Sequence, residues 1–150
     1  MRKFEVVARY KDAKIEIPAR ATTQSAGYDL ASATDIIIPK NEVKLIPTGL
    51  KVKIPSNEAL FVFARSSLAL KKHLMMSNGV GVVDADYYNN PNNEGEIFIP
   101  LYNFSSKDIE IKKGERIAQG IFLSYQRTDG DDSDGIVRLG GFGSSDNLLK

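Results

Sequence analysis

The 150-residue sequence contains no cysteine, which removes disulfides, thiolate zinc sites and cysteine nucleophiles together. Its one histidine, His73, leaves almost nothing from which to build a Ser-His-Asp triad or a multi-histidine metal centre. An excess of charge of one sign is missing too: 20 Lys and Arg stand against 19 Asp and Glu, for a net charge of +1. The basic field of a general DNA or RNA binder is absent, so nucleic acid is not an expected partner and any phosphate must be held locally. No apolar run approaches the roughly 20 residues of a membrane span. The opening Met1-Arg2-Lys3-Phe4-Glu5 lacks the long apolar core of a secretory signal. These absences predict a cytoplasmic protein with no membrane contact.

What is present is a chain of one-domain length, which buries roughly 70% of its unfolded surface. Short β-branched runs recur between turn formers: Phe4 to Ala8, Ile36 to Ile38, Val43 to Ile46, Leu50 to Ile54, Leu60 to Phe63, Ile97 to Leu101, Ile109 to Ile111 and Ile117 to Leu123. Many short strands at this spacing predict an all-β sandwich, jelly roll or barrel. In Leu50-Lys51-Val52-Lys53-Ile54 the alternation gives one buried and one wet face. One short helix is expected over Ser66 to Leu74, with Ser66 or Ser67 as its cap. From about residue 133 the chain turns Gly- and Ser-rich around a single aromatic, Phe142, the composition of a mobile C-terminal arm. The run Tyr88-Asn89-Asn90-Pro91-Asn92-Asn93-Glu94-Gly95 reads as a loop between strands.

Three segments carry possible chemistry. Ala64-Arg65-Ser66-Ser67-Leu68 sets a guanidinium and two hydroxyls at a helix start; this suits a phosphate chain, or it is a cap beside a surface arginine. Gly79-Val80-Gly81-Val82-Val83-Asp84-Ala85-Asp86-Tyr87 ends in two carboxylates one residue apart. On an extended chain both point to one face, where one can take a proton from water and the other can tune or anchor the site; alternatively they end a strand in a turn. Arg138-Leu139-Gly140-Gly141-Phe142-Gly143-Ser144-Ser145 joins a cation, free N–H groups and an aromatic plate able to stack on a base. The competing reading is a disordered tail with a stray phenylalanine. Lys113-Gly114-Glu115-Arg116-Ile117-Ala118-Gln119 reads first as a turn entering a strand, and His73, with nothing nearby to pair with it, reads as structural.

In order and spacing these segments resemble the five motifs of the trimeric dUTP pyrophosphatase (dUTPase) family. Ala26-Gly27-Tyr28-Asp29-Leu30 resembles the first, Ala64 to Ala69 the second and Gly81 to Tyr87 the third. Gly114 to Gln119 resembles the fourth, and Arg138 with Gly140-Gly141-Phe142-Gly143-Ser144 the fifth. The resemblance implies a jelly-roll β-barrel subunit, a homotrimer with active sites shared between chains, and Mg²⁺-assisted hydrolysis of dUTP to dUMP and pyrophosphate. Such an activity keeps uracil out of DNA and supplies dUMP for dTMP synthesis. It further implies that Arg65, Ser66, Ser67 and Gln119 hold phosphates, and that Asn78, Gly81, Val83, Asp84 and Tyr87 form the nucleoside pocket, with Asp84 activating the water. Arg138, Phe142, Gly143 and Ser144 would come from the arm of a third subunit. Asp29 would reach the metal through water, the substrate phosphates holding most of it.

Two departures stand out. Seven residues lie between Tyr87 and Gly95 where many family members have one, and Leu139 replaces a small residue. The insertion reads as a surface loop at the active-site mouth, with a second reading as a contact for a protein partner. Two further functions stay open: a dCTP deaminase-like enzyme, which would be expected to place a glutamate in the base pocket, and a nucleotide-gated regulatory protein using residues 88–95.

Overall fold

Alternation along the strands decides which residues go inside. The computed structural model describes residues 1–143, and Ser144 lies outside that range. The strands in chain order are β1 (Lys3–Val6), β2 (Tyr28–Ala31), β3 (Ile36–Ile38), β4 (Val43–Pro47), β5 (Leu50–Lys53), β6 (Glu58–Ala64), β7 (Leu74–Met76), β8 (Gly81–Asp84), β9 (Phe98–Asn103), β10 (Ile109–Ile111) and β11 (Arg116–Ser124), with one helix, α1 (Ser66–Lys72). In β9 every second residue, Ile99, Leu101 and Asn103, is buried; in β5 the buried pair is Leu50 and Val52. Leu30, Ile38, Ile46, Leu60, Leu74, Ile111 and Ile117 complete a core closed to water, each such side chain contributing roughly 1.5–3 kcal/mol by its burial.

The strands pair antiparallel in four groups, β1-β5, β3-β10, β2-β11-β6-β8 and β4-β9-β7. Every pairing joins strands that are not consecutive in the chain, so the sheets are laced together by crossovers into an all-β jelly roll. The four-stranded sheet matters most for function, because β2, β6, β8 and β11 carry four of the five motif segments.

Several boundaries differ from the expected ones. β1 ends at Val6 because the chain swings into a 3₁₀ turn at Ala8–Tyr10, with the Val7 N–H held by the Gly49 carbonyl at 2.9 Å. Helix α1 stops at Lys72 rather than Leu74: His73 takes a left-handed conformation (φ 56°) and its N–H bonds Ala69 O, releasing Leu74 into β7. Neither Ser66 nor Ser67 caps the helix, since Arg65 holds the cap position with no side-chain bond. The His73 ring packs edge-on against Phe104 at 5.6 Å, a structural role.

Asn103, fully buried, replaces apolar packing with four hydrogen bonds. Its amide donates to Ile38 O and Lys107 O, each at 2.8 Å, and its carbonyl accepts from Ser105 N at 2.9 Å and Ser105 Oγ at 2.7 Å. An Asn103→Ala chain takes the amide donor from Ile38 O and the acceptor from Ser105 N–H and opens a gap, so denaturant melts should show a loss of about 2–4 kcal/mol; a loss below about 0.5 kcal/mol would mean that water replaces the amide without penalty.

Candidate functional site

Strand β6 is the ruler against which the motifs are placed. Ala59 near its start faces Asp84 and Val62 faces Gly81, while at its end Phe63 faces Gln119 and Ala64 faces Ala118. On the far side of β11, Gln119 faces Asp29. A strand rises about 3.3 Å per residue, so Asp84 lies about 17 Å along the sheet from the position that leads into Arg65 and Ser66. One chain thus carries two separate clusters.

The first cluster surrounds a cavity of about 200 Å³ lined by Asn78, Gly81, Val83, Asp84, Tyr87 and Phe142, with Arg138 at its edge. Asn78 sits in the turn between β7 and β8, where Gly79 N–H bonds Met76 O at 3.1 Å. A side chain at Gly81 would press on Val62, its Cβ falling 3.2 Å from that of the valine, so the glycine leaves this wall as bare backbone. Val83 packs against the core. Strand β8 ends at Asp84 and the chain bends into a 3₁₀ turn, Ala85–Tyr87. The extended geometry expected through Asp86 therefore fails after Asp84.

The two carboxylates still converge, because both grip one guanidinium: Arg138 Nη2 lies 2.6 Å from Asp84 Oδ2 and its Nε 2.7 Å from Asp86 Oδ1. Its Nη1 donates to Gly140 O at 3.1 Å, which curls the arm over the cavity of its own chain. Gly141 then lies flat on the Tyr87 ring, where a Cβ would fall 2.6 Å from Cε1. Phe142 sits edge-on to Phe98 at 6.0 Å and remains 65% exposed, a plate with one face free. Gly143, at φ 91°, is the last described residue.

Asp84 is half-exposed. Burial pushes its carboxyl above the usual aspartate range and Asp86 adds to the rise, while Arg138 opposes both. A carboxylate raised in this way and still reachable by solvent is a competent proton acceptor.

The second cluster holds Asp29, Arg65, Ser66, Ser67 and Gln119. Asp29 pairs with Arg65 at 3.4 Å and Arg116 at 3.7 Å, Arg65 also reaches Arg116 O at 3.5 Å, and Gln119 donates to Ala64 O at 3.4 Å. A side chain at Gly27 would strike Gln119, so the first and fourth motifs are fitted to each other there. Ser66 is exposed at the helix start. A larger cleft, about 450 Å³, adjoins Asp29 and gathers Arg20, Lys113 and Arg116, but Asp84 lines no part of it. Among the described residues no three His, Asp or Glu side chains gather as a metal cage. The carboxylates instead stand against arginines, a donor set that fits a metal carried on phosphate oxygens and reached by protein through water.

Asp86 anchors Arg138, the anchoring part that the sequence offered for one of the two carboxylates. Three contributors escape a reading of the sequence: Phe98 backs Phe142, and Asn93 donates to the Tyr87 hydroxyl at 2.8 Å. The third is Glu96, whose carbonyl accepts from the same hydroxyl at 2.6 Å. Nothing in the periodicity of Gly95-Glu96-Ile97 marks that role. Glu96 also lines the cavity; its carboxyl, raised in pKa by burial, accepts from Gly49 N–H at 3.2 Å and pairs with Arg9 at 3.2 Å.

Comparison with known proteins identifies the family. The sequence model of the dUTPase family matches residues 13–145. The chain is 48% identical over 146 residues to the deoxyuridine 5'-triphosphate nucleotidohydrolase of Lactococcus lactis subsp. lactis, covering 97% of each. It is 38% identical over 135 residues to that of Rickettsia felis, covering 86% of this chain and 87% of the relative. Among solved structures, the dUTPase of Streptococcus mutans superposes with a TM-score of 0.82 at 42% identity, over 85% of this chain and 99% of that one.

Proposed function

This chain belongs to the dUTPase family, and from that premise we propose that it hydrolyses dUTP to dUMP and pyrophosphate in the cytoplasm. The observation that carries the reading is Asp84: a solvent-reachable carboxylate of raised pKa at the mouth of a cavity that ends in an aromatic plate. Asp84 takes a proton from a water as the water oxygen bonds to the α-phosphorus. The bond from that phosphorus to the bridging oxygen breaks in line, and pyrophosphate leaves with the electron pair.

The uracil lies between the backbone of residues 78–83 and the Phe142 ring, its polar edge read by N–H and C=O groups and its C5 side packed too closely for a methyl. Tyr87 sits under the sugar and leaves no room for a 2′-hydroxyl. Arg65, Ser66, Ser67 and Gln119 take the phosphates, and Arg138 trades its two carboxylates for the terminal phosphate. Gly143 and Ser144 extend that grip. Mg²⁺ would be held chiefly by the substrate phosphates, with Asp29 as the protein group reaching it through water, and would supply positive charge against the leaving group.

The resemblance to the trimeric family implies a homotrimer, and the separation of the two clusters along β6 supports sites shared between chains. A site that needs Asp84 and Arg65 together is completed by apposing the β8 end of one chain to the α1 start of another, with the arm of a third closing over both. The outward apolar residues Val43, Leu45 and Met75 on the β4-β9-β7 sheet offer surface that self-association would cover.

The test is a hydrolysis panel of dUTP, dTTP, dCTP and UTP, with and without a chelator. Pyrophosphate should appear from dUTP at least roughly 10²-fold faster than from the others, and the chelator should suppress it. Comparable rates on all four overturn the substrate assignment, and ammonia release from dCTP would favour the deaminase reading.

A further inference from the structure

The insertion at residues 88–95 is not a free loop. Asn90 is buried, and its side chain donates to Tyr87 O at 2.8 Å and to Asn93 Oδ1 at 2.7 Å. Asn90 Oδ1 in turn accepts from the N–H groups of Asn92 at 3.0 Å and Asn93 at 3.1 Å, closing a turn on itself. Gly95, at φ 86°, lies so near Tyr87 O that a Cβ would come within 2.6 Å of it, and its N–H bonds Asn93 Oδ1 at 3.0 Å. The loop is pinned to the barrel from outside: Lys51 holds Asn89 at 2.6 Å and Glu94 at 2.8 Å, Glu94 accepts the Ala8 N–H at 3.0 Å, and Tyr88 bonds Glu5.

All of this converges on one atom. The Asn93 amide, oriented by two bonds to its own oxygen, donates to the Tyr87 hydroxyl, which in turn donates a hydrogen bond to the Glu96 carbonyl. The phenol is thus fixed at its far end by a donor and an acceptor, and the ring can neither rotate nor sink without breaking one of them. We propose that Asn93, held by Asn90, is a positioning residue that sets the depth of the Tyr87 ring and thereby the selection of 2′-deoxyribose over ribose. The proposal rests on the reading of Tyr87 as the floor beneath the sugar.

A pocket rejects an added hydroxyl only as firmly as its floor resists moving. Asn93→Leu keeps similar bulk but supplies no donor, and Asn93→Asp keeps the acceptor for Asn90 and Gly95 while losing the donor to Tyr87. In both, the ratio of kcat/KM for dUTP to that for UTP should fall roughly tenfold, chiefly through a gain on UTP. A purely structural role would lower both nucleotides together and leave the ratio standing. On a Tyr87→Phe background, which lacks the hydroxyl, Asn93→Leu should change the ratio no further.

A ratio within twofold of the parent chain in both single variants, or an equal effect with and without the Tyr87 hydroxyl, overturns the proposal. If the parent chain itself leaves dUTP intact, the fault lies with the proposed activity, and this shows before any variant is compared.

Discussion

Asp84→Asn should turn over dUTP about 10²–10⁴-fold more slowly than the parent chain, the usual worth of a positioned general base, with KM little changed. An amide of the same shape still accepts the Arg138 bond now made at 2.6 Å, so the cavity and the arm keep their places. Linkage fixes the sign of the effect on stability. The folded-state pKa of Asp84 is raised, chiefly by burial, so the folded chain binds this proton more tightly than the unfolded one. The carboxyl therefore costs nothing below its unfolded value and costs progressively more as pH rises through the folded value. Removing the charge lifts that cost, and the melting temperature of Asp84→Asn at neutral pH should equal or exceed the parent's. In the parent, kcat/KM should climb as pH rises through the Asp84 pKa, and this acid limb should vanish from the residual activity of the variant. A variant that keeps most of its turnover, or keeps the limb, removes Asp84 as the base.

Much of this site could be read in the sequence because it is written in local patterns. Alternation in Leu50 to Ile54 reports a strand with one dry face, and its apolar members are buried as expected. β2 and β7 escape the same reading: Tyr28–Ala31 carries Asp29 mid-strand and Leu74–Met76 is three residues long. Their extended state is imposed by partners β11 and β9, which no window of the sequence contains. The same holds for the insertion. Its asparagines look like a solvated loop because composition reports polarity and not direction, whereas Asn90 and Asn93 turn inward to bonds that exist only once Tyr87 is in place. Asp84 and Asp86 illustrate the converse, since their convergence is correct in outcome although the extended geometry assumed for it stops at Asp84.

A chain ending at Val137 should keep its fold and its oligomeric mass yet lose on the order of 10²–10³ in kcat/KM, the scale set by removing one well-placed charge-stabilising donor. The core is drawn from residues up to Phe122, so cutting the arm removes no core side chain and the melting temperature should barely move. Hydrolysis suffers because Arg138, the Phe142 plate and the residues beyond them go together, and because Tyr87, now covered by Gly141, is left open to water. Unchanged turnover would reduce the arm to an idle tail. Mixing then decides between chains. Asp84→Asn chains have an arm and no base, and truncated chains have a base and no arm. If each arm serves only the cavity of its own chain, every site in a mixed oligomer lacks one of the two. If a site draws its base and its arm from different chains, subunit exchange between the two inactive preparations restores a fraction of the parent activity, and that recovery is the outcome expected of the proposed homotrimer, in which the arm of a third chain replaces the contact that Arg138 makes with Asp84 of its own chain.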